Sequence, residues 1–342
     1  SNWSLGRVPL TTDSVIIALP GTYTVTLDTT FSASFLVVGG ATGTQTLSLG
    51  GRTLTVSGAM TVRSSGVFAP NNSTIAGVGT VVNQGTLDLK NSNVSASTAL
   101  DNQGTLISNA TVTVNGPFTT SAASLLRLQP DGTTGFSNFT SAASFTNNGT
   151  IELTATVSSY SATLFVTGAN TLTNAAGATI ASLVGTGGTR TIDAQLNNLG
   201  TVTMLQPLTL SHASAAHSNS GTFDASAVDW TLTQSGTTPS FTNTGTVTIG
   251  AGRTWTVSGG TLNQSAGSIG GPGTLSLNSM TANFTTNLTN ATTTLLLNSV
   301  TVNGPGTLTN APGQTMSLKN VTIAATSALD NQGTLISNAT VT

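Results

Sequence analysis

The stretch Val-Val-Asn-Gln-Gly-Thr-Leu-Asp-Leu at residues 81–89 decides the fold, because its pattern recurs along the chain. The pattern is apolar-x-Asn-x-Gly-Thr-apolar-x, followed by an apolar or small residue. Its copies begin at Val81, Leu100, Phe145, Leu196, His217, Phe241 and Leu329. A variant with one extra residue before the Gly occupies 172–180 and 308–316. We interpret each copy as a corner of a repeated coil.

The spacing of the copies gives the length of one coil. From Val81 to Leu329 the chain advances 248 residues (329 − 81), and eleven turns over that distance take about 22 to 23 residues each. Leucine-rich repeats share this period but need a fixed run of Leu, and a propeller blade needs about 40 residues. Short alternating strands such as TYTVTLD (22–28) fill the intervals. The sequence therefore predicts an all-β fold: a single elongated parallel β-helix (β-solenoid), right-handed, with about 15 coils of about 22 residues.

Within each copy the Asn and the Gly are expected to face inward at the corner. Coils stacked about 4.8 Å apart would let the carboxamides hydrogen-bond up and down the stack. Glycine is expected because it permits the positive φ of a sharp turn. The predicted turn ladder comprises Asn83, Gly85, Asn102, Gly104, Asn147, Gly149, Asn198, Gly200, Asn219, Gly221, Asn243, Gly245, Asn331 and Gly333.

Composition excludes several classes of protein. Only 5% of the residues are charged, against about 25% in ordinary soluble proteins, so Thr, Ser, Asn and Gly must cover the surface. Regularly spaced Val, Ile, Leu and Phe argue against disorder. The net charge of −2, without a basic cluster, argues against nucleic-acid binding. The chain has no Cys, hence no disulfide, and no apolar run long enough for a transmembrane helix.

The first thirty residues differ from the rest. Trp3, Pro9 and Asp13 precede Pro20-Gly21, and this stretch resembles the opening coil of bacterial secreted β-helix proteins. We expect residues 1–30 to form an N-terminal capping coil that blunts the first edge, and residues 31–342 to form solenoid coils. The chain starts at Ser1 without Met, so we expect a mature or trimmed product.

A second, longer repeat is present. The fifteen residues ALDNQGTLISNATVT occur at 99–113 and again, identically, at 328–342, an offset of 229 residues. The identity predicts a duplicated unit of about 229 residues, within which the chain is cut. We therefore expect self-association end to end, or a place in a longer array.

The Asn/Thr-rich repeats resemble those of filamentous-haemagglutinin and autotransporter-passenger adhesins over most of the chain. This resemblance implies a secreted protein at the extracellular cell surface, with a structural or adhesive role as a shaft or fibre (filament) subunit. A carbohydrate or surface ligand is an expected partner. No enzyme activity, catalytic residue, cofactor or metal is expected.

Two alternatives remain. Thr-x-Thr pairs could form an ice-binding face; they lie at 53/55, 111/113, 201/203, 246/248, 254/256 and 307/309. A polysaccharide-degrading β-helix enzyme would need clustered carboxylates. The richest window holds His212, His217, Asp224, Asp229 and Trp230. Since His217 occupies the apolar position of its repeat, we expect it to be a semi-buried side chain rather than part of a catalytic site.

A small surface charge cluster of Asp88, Lys90 and Asp101 is the other arrangement that the sequence suggests. Solvated charges, or one ion pair, are the simpler interpretation.

Overall fold

A computed structural model describes residues 4, 6, 7 and 9–342. These residues are all β, without helix, and wind as a parallel β-solenoid of about 16 turns with a spacing of about 21 residues. The predicted fold class is confirmed, with one more turn and a slightly shorter spacing than the turn pattern predicts. Right-handed winding stays a prediction. Among the described residues, no helix has the length and apolar character needed to cross a membrane.

The chain divides into two compact units. The first runs to Leu172 and includes Gly185–Gly188, and the second comprises Thr173–Val184 and Thr189–Thr342. The strands of the first unit are β1 (Ser14–Ile17), β2 (Tyr23–Thr26), β3 (Phe31–Val38), β4 (Gln45–Ser48), β5 (Thr53–Val62), β6 (Gly66–Ala69), β7 (Thr74–Ala76), β8 (Thr80–Asn83), β9 (Thr86–Val94), β10 (Ala99–Asn102), β11 (Thr105–Val114), β12 (Phe118–Thr120), β13 (Leu125–Leu128), β14 (Phe136–Ser141), β15 (Phe145–Asn147), β16 (Thr150–Leu153) and β17 (Ser161–Val166).

Strand β18 (Thr171–Asn174) lies at the boundary between the units. The strands of the second unit are β19 (Thr179–Ser182), β20 (Arg190–Asp193), β21 (Gln195–Asn198), β22 (Thr201–Met204), β23 (Leu208–Leu210), β24 (Ala216–Asn219), β25 (Thr222–Ala225), β26 (Trp230–Thr233), β27 (Ser240–Asn243), β28 (Thr246–Ile249), β29 (Thr254–Ser258), β30 (Thr261–Gln264), β31 (Ser268–Gly270), β32 (Thr274–Phe284), β33 (Leu288–Thr289), β34 (Thr294–Asn303), β35 (Thr307–Asn310), β36 (Thr315–Ile323), β37 (Ala328–Asn331) and β38 (Thr334–Val341).

Alternation along each strand builds the core. In β25, Phe223 and Ala225 are buried, while Thr222 and Asp224 face outward. The β-branched Thr suits an outward strand position, which explains the rhythm of Thr next to apolar residues. Each inward Leu, Val or Phe contributes about 1.5–3 kcal/mol through the apolar surface it removes from water.

Three strands make one turn in the second unit. Strand β20 pairs in parallel with β23, β23 with β26, and β26 with β29, so each strand meets the strand three elements later. We call the three sides of the turn the first, second and third faces. They contain β21, β22 and β23 respectively, and the sequence of faces then repeats.

The longest strands turn a corner at one residue with a left-handed backbone. In the first unit this residue is Asn91 in β9 (φ 47°) and Ala110 in β11 (φ 55°). In the second unit it is Ser279, Ser299, Asn320 and Ala339, in β32, β34, β36 and β38. Each of these second-unit strands therefore lies on the third face before the bend and on the first face after it.

The two identical fifteen-residue segments adopt the same local structure. Each forms a four-residue strand (β10 or β37), an Asn-x-Gly turn, and a long strand (β11 or β38) that bends at Ala110 or Ala339. Equal sequence thus gives an equal strand–turn–strand unit. The capping coil at 1–30 and the larger duplicated unit stay predictions.

Candidate functional site

The turn asparagines lie in three separate runs rather than one continuous ladder. In the first unit, Asn83 Nδ2 donates to Asn102 Oδ1 at 2.7 Å. In the second unit, a run ends the first-face strands with side chain-to-side chain hydrogen bonds of 2.7–2.8 Å. Its members are Asn174, Asn198, Asn219, Asn243 and Gln264. A third run ends the second-face strands and comprises Asn290, Asn310 and Asn331, linked at 2.7 and 2.6 Å.

Each carboxamide also bonds to the backbone of the next turn. Asn198 Nδ2 donates to the carbonyl of Thr222 at 3.1 Å, and Asn219 Nδ2 donates to the carbonyl of Thr246 at 3.2 Å. In return, the backbone N–H groups of Thr244 and Gly245 both donate to the carbonyl of Asn219, at 2.7 and 3.0 Å. The corner therefore satisfies buried amide and turn groups together, which would otherwise be costly.

The expected positive φ at the turn glycines is wrong. Neither Gly85 nor any other glycine of the predicted ladder has φ in the left-handed region. A Cβ at Gly221 would instead lie within 3.0 Å of the carbonyl oxygen of Gly200, one turn earlier, and one at Gly245 would meet that of Gly221. Glycine is required because successive backbones approach too closely for a side chain.

Several members of the runs were missed by the repeat pattern. Gln264 replaces Asn in the copy TLNQSAG at 261–267, and a pattern that accepted Gln would have found it. The longer variant places Asn174 and Asn310 in the runs. Phe284 takes the register position after Gln264, which ends the first-face run. No sequence signal indicated that the third run lies at a different corner.

The predicted N-terminal cap is only partly described. Trp3 lies outside the described residues, and Pro9 is half-buried. Asp13 accepts hydrogen bonds from Arg7 Nη1 at 2.6 Å and from the backbone N–H of Leu10 at 2.7 Å. The bond from Arg7, then that from Leu10, hold the pKa of Asp13 below its usual value. These contacts order the chain just before β1.

The histidine window does not form one site. His212 Nδ1 lies 2.7 Å from Asp193 Oδ1, in an exposed pair. His217 is buried, and its Nδ1 accepts a hydrogen bond from the backbone N–H of Leu196 at 3.1 Å. Burial, and to a smaller extent His212, lower the pKa of His217 to about 4, so its imidazole is neutral near pH 7.

The remaining members of the window have separate partners as well. Asp224 accepts a hydrogen bond from the backbone N–H of Ser226 at 3.0 Å, and Asp229 accepts one from Thr254 at 2.8 Å. Trp230 is fully buried and stacks on Trp255, with ring centroids 4.9 Å apart. The aromatic groups therefore pack in the core instead of presenting a surface for sugars.

A polar cluster surrounds Lys90 in the first unit. Lys90 Nζ donates to Asp131 Oδ2 and to Thr133 Oγ1, both at 2.6 Å. Desolvation acts against it, but hydrogen bonds from Lys90, Thr133 and Thr134 lower the pKa of Asp131. Burial raises the pKa of Asp88, which Lys90 partly offsets. Asp101 lies outside this cluster, since its partners are Gln103 and Thr119.

No set of three or more His, Cys, Asp or Glu side chains could hold a metal ion within the described part of the chain. The one glutamate, Glu152, pairs with Arg127 Nε at 2.7 Å across neighbouring turns. Where carboxylates do meet other groups, as at Asp131, they are neutralised by a cation and by hydroxyl or backbone donors.

A shallow groove of about 270 Å³ is the best-formed concave site of the first unit, and its lining is wholly neutral and polar. It spans three turns beside the bend at Asn91 and is lined by Asn72, Ser73, Thr74, Asn91, Ser92, Asn93, Thr111 and Thr113. Asn91 Nδ2 donates to Asn72 Oδ1 at 2.6 Å, which orients both amides. Such a lining suits hydrogen bonding to a neutral, polyhydroxylated ligand.

The Thr-x-Thr pairs are dispersed. In the second unit, the pairs at 201/203 and 246/248 share the second face, but Thr222 and Asp224 lie between them in register. The pair at 254/256 lies on the third face, in β29. These pairs therefore do not form a continuous Thr-x-Thr row.

Compared with protein-family models, curated proteins and solved structures, the chain shows no match, so the parallel β-solenoid itself is the level at which it can be classified.

Proposed function

We propose that this chain is a structural and adhesive part of a bacterial extracellular surface protein, in which the solenoid acts as a shaft. The observation that supports this most is the use of its buried polar groups. The carboxamides of Asn198, Asn219 and Asn243 join one turn to the next instead of converging on a reacting centre. A shaft needs such links between turns, and they repeat along each unit.

The near absence of charge supports an adhesive role. With 5% charged residues, the surface presents hydroxyl and amide groups, which hydrogen-bond to neutral glycans and other hydrated surfaces. The groove at Asn72, Asn91 and Thr111 is the best-formed concave place for such a ligand. Without an aromatic platform, each contact is weak, and attachment relies on many copies acting together.

Antibodies raised against the folded chain test the proposal on intact, unpermeabilised cells of the source organism. Immunogold label is expected on the outer surface, and Fab fragments are expected to reduce attachment of the cells to their substratum. Label confined to the cytoplasm would contradict the proposal. Surface label without any effect of the Fab fragments would eliminate the adhesive role and leave the shaft.

A further inference from the structure

The first face of the second unit becomes regular toward its last turns. Thr261 is in register with Thr281, Thr281 with Thr301, and Thr301 with Thr322, at intervals of 20, 20 and 21 residues. The hydroxyl of Thr342 then donates to that of Thr322 at 3.3 Å, which adds a fifth threonine to the row. Elsewhere in the unit, the interval between register partners reaches 24 residues, as from His217 to Phe241.

A second row runs beside the threonines. Asn263, Asn283 and Asn303 lie two residues further along their strands and point to the same side, since Leu262, Ala282 and Val302 between the rows are fully buried. Together they give a two-row array of the form Thr-x-Asn. We call this the Thr-x-Asn face.

Hydrogen bonds fix the orientation of the second row. Asn283 Nδ2 donates to Asn263 Oδ1 at 2.7 Å, and Asn303 Nδ2 donates to Asn283 Oδ1 at 2.8 Å. Asn263 Nδ2 in turn donates to Thr242 Oγ1 at 3.2 Å. These outward amides are thus ordered before any ligand arrives, which lowers the entropic cost of binding.

Charge is almost absent from this part of the chain. From residue 254 to residue 342 the only charged residues are Lys319 and Asp330. Lys319 lies at the bend before Thr322, at the margin of the array, and Asp330 lies in β37 on the second face. The Thr-x-Asn face therefore offers no charge to an ionic ligand.

We propose that the Thr-x-Asn face binds ice. Its rows repeat about every 4.8 Å between turns and about every 6.7 Å along the strand, a fixed two-dimensional lattice of hydroxyl, methyl and amide groups. A rigid, neutral lattice of this kind orders water in two dimensions and so complements a crystal of water. A dissolved glycan has no matching period in the second direction. Variable turn length, which disrupts such a lattice elsewhere in the unit, does not occur here.

The test compares the whole chain with two variants of matched chemistry. Thr301→Tyr places a bulky side chain in the middle of the face, and Thr231→Tyr places the same side chain at an exposed outward position of β26, on the third face. Circular dichroism confirms that both variants fold. Inhibition of ice recrystallisation and thermal hysteresis are then measured for all three proteins.

We expect the parent chain and Thr231→Tyr to inhibit ice growth, and Thr301→Tyr to lose that inhibition. A parent chain without effect on ice growth would refute the proposal. Equal loss in both variants, or full inhibition by Thr301→Tyr, would show that ice binds elsewhere. The proposal does not depend on the shaft function, so surface labelling of cells and ice binding can fail independently.

Discussion

Replacing Asn219 by Leu tests whether the carboxamide runs hold the turns together. The substitution removes the hydrogen bond from Asn198 Nδ2 to Asn219 Oδ1 and the one from Asn219 Nδ2 to Asn243 Oδ1, at 2.8 and 2.7 Å. Two buried polar atoms on the neighbours then lack a partner, at about 1–3 kcal/mol each. The apolar surface of Leu returns about 1–2 kcal/mol, so the net loss of stability is about 1–4 kcal/mol.

A triple variant separates the run from a set of independent bonds. When Asn198, Asn219 and Asn243 are all replaced by Leu, the unpartnered side-chain atoms are again only the two at the ends of the gap, on Asn174 and Gln264. The loss should therefore stay well below three times that of the single variant.

Urea unfolding followed by tryptophan fluorescence measures these losses, because Trp230 and Trp255 are buried in the same unit. Ser220→Ala is the control: Ser220 is exposed in the same turn, and its replacement should change stability by less than about 0.5 kcal/mol. A single-variant loss equal to that of the control, or a triple loss three times the single, would refute the reasoning.

Further predictions concern the glycines and the buried histidine. Gly221→Ala should destabilise by about 1–3 kcal/mol or more, because its Cβ meets the carbonyl of Gly200, while Gly252→Ala, at φ +68° with open space, should cost about 1–2 kcal/mol; equal melting temperatures for Gly221→Ala and the parent would contradict this. Since the folded pKa of His217 is about 4, below the unfolded value of 6.5, its contribution to stability is complete above pH 6.5 and is lost as the pH falls toward 4. The loss approaches about 3 kcal/mol, and His217→Phe should flatten the pH dependence of the urea midpoint across that window; an unchanged pH profile would count against a buried neutral imidazole.

The turn pattern predicted the fold class because corners dominate the sequence of a solenoid. An Asn whose amide bonds to the next turn, with a backbone approach that only Gly allows, is needed again at each such corner. The copies at Leu196, His217 and Phe241 are therefore visible without a structure. The pattern predicted the right residue at Gly221 for the wrong reason, since sequence shows that a side chain is forbidden but not whether φ or a neighbouring backbone forbids it.

Other features depend on register, which the sequence leaves open. Trp230 and Trp255 stack because β26 and β29 pair with an offset of 25 residues, whereas neighbouring turns use 20 or 21. The row of Thr261, Thr281 and Thr301 is equally hidden, because it depends on three equal turns in succession. Asn331 shares its turn motif with Asn243 yet lies at a different corner, because the intervening chain does not advance by a whole number of turns.

Cysteine pairs test the parallel, in-register coil most directly, because the chain has no Cys of its own. Thr222 and Thr246 are register partners on the second face, so their Cα atoms lie about 4.8 Å apart, within the range that a disulfide bridges. The double variant Thr222→Cys/Thr246→Cys should form an intramolecular disulfide on mild oxidation, detected by mass spectrometry. The shifted pair Thr222→Cys/Thr248→Cys, separated by about 8 Å, should stay reduced. A disulfide in the shifted pair but not in the aligned pair would contradict the register, and with it the stacked amide corners.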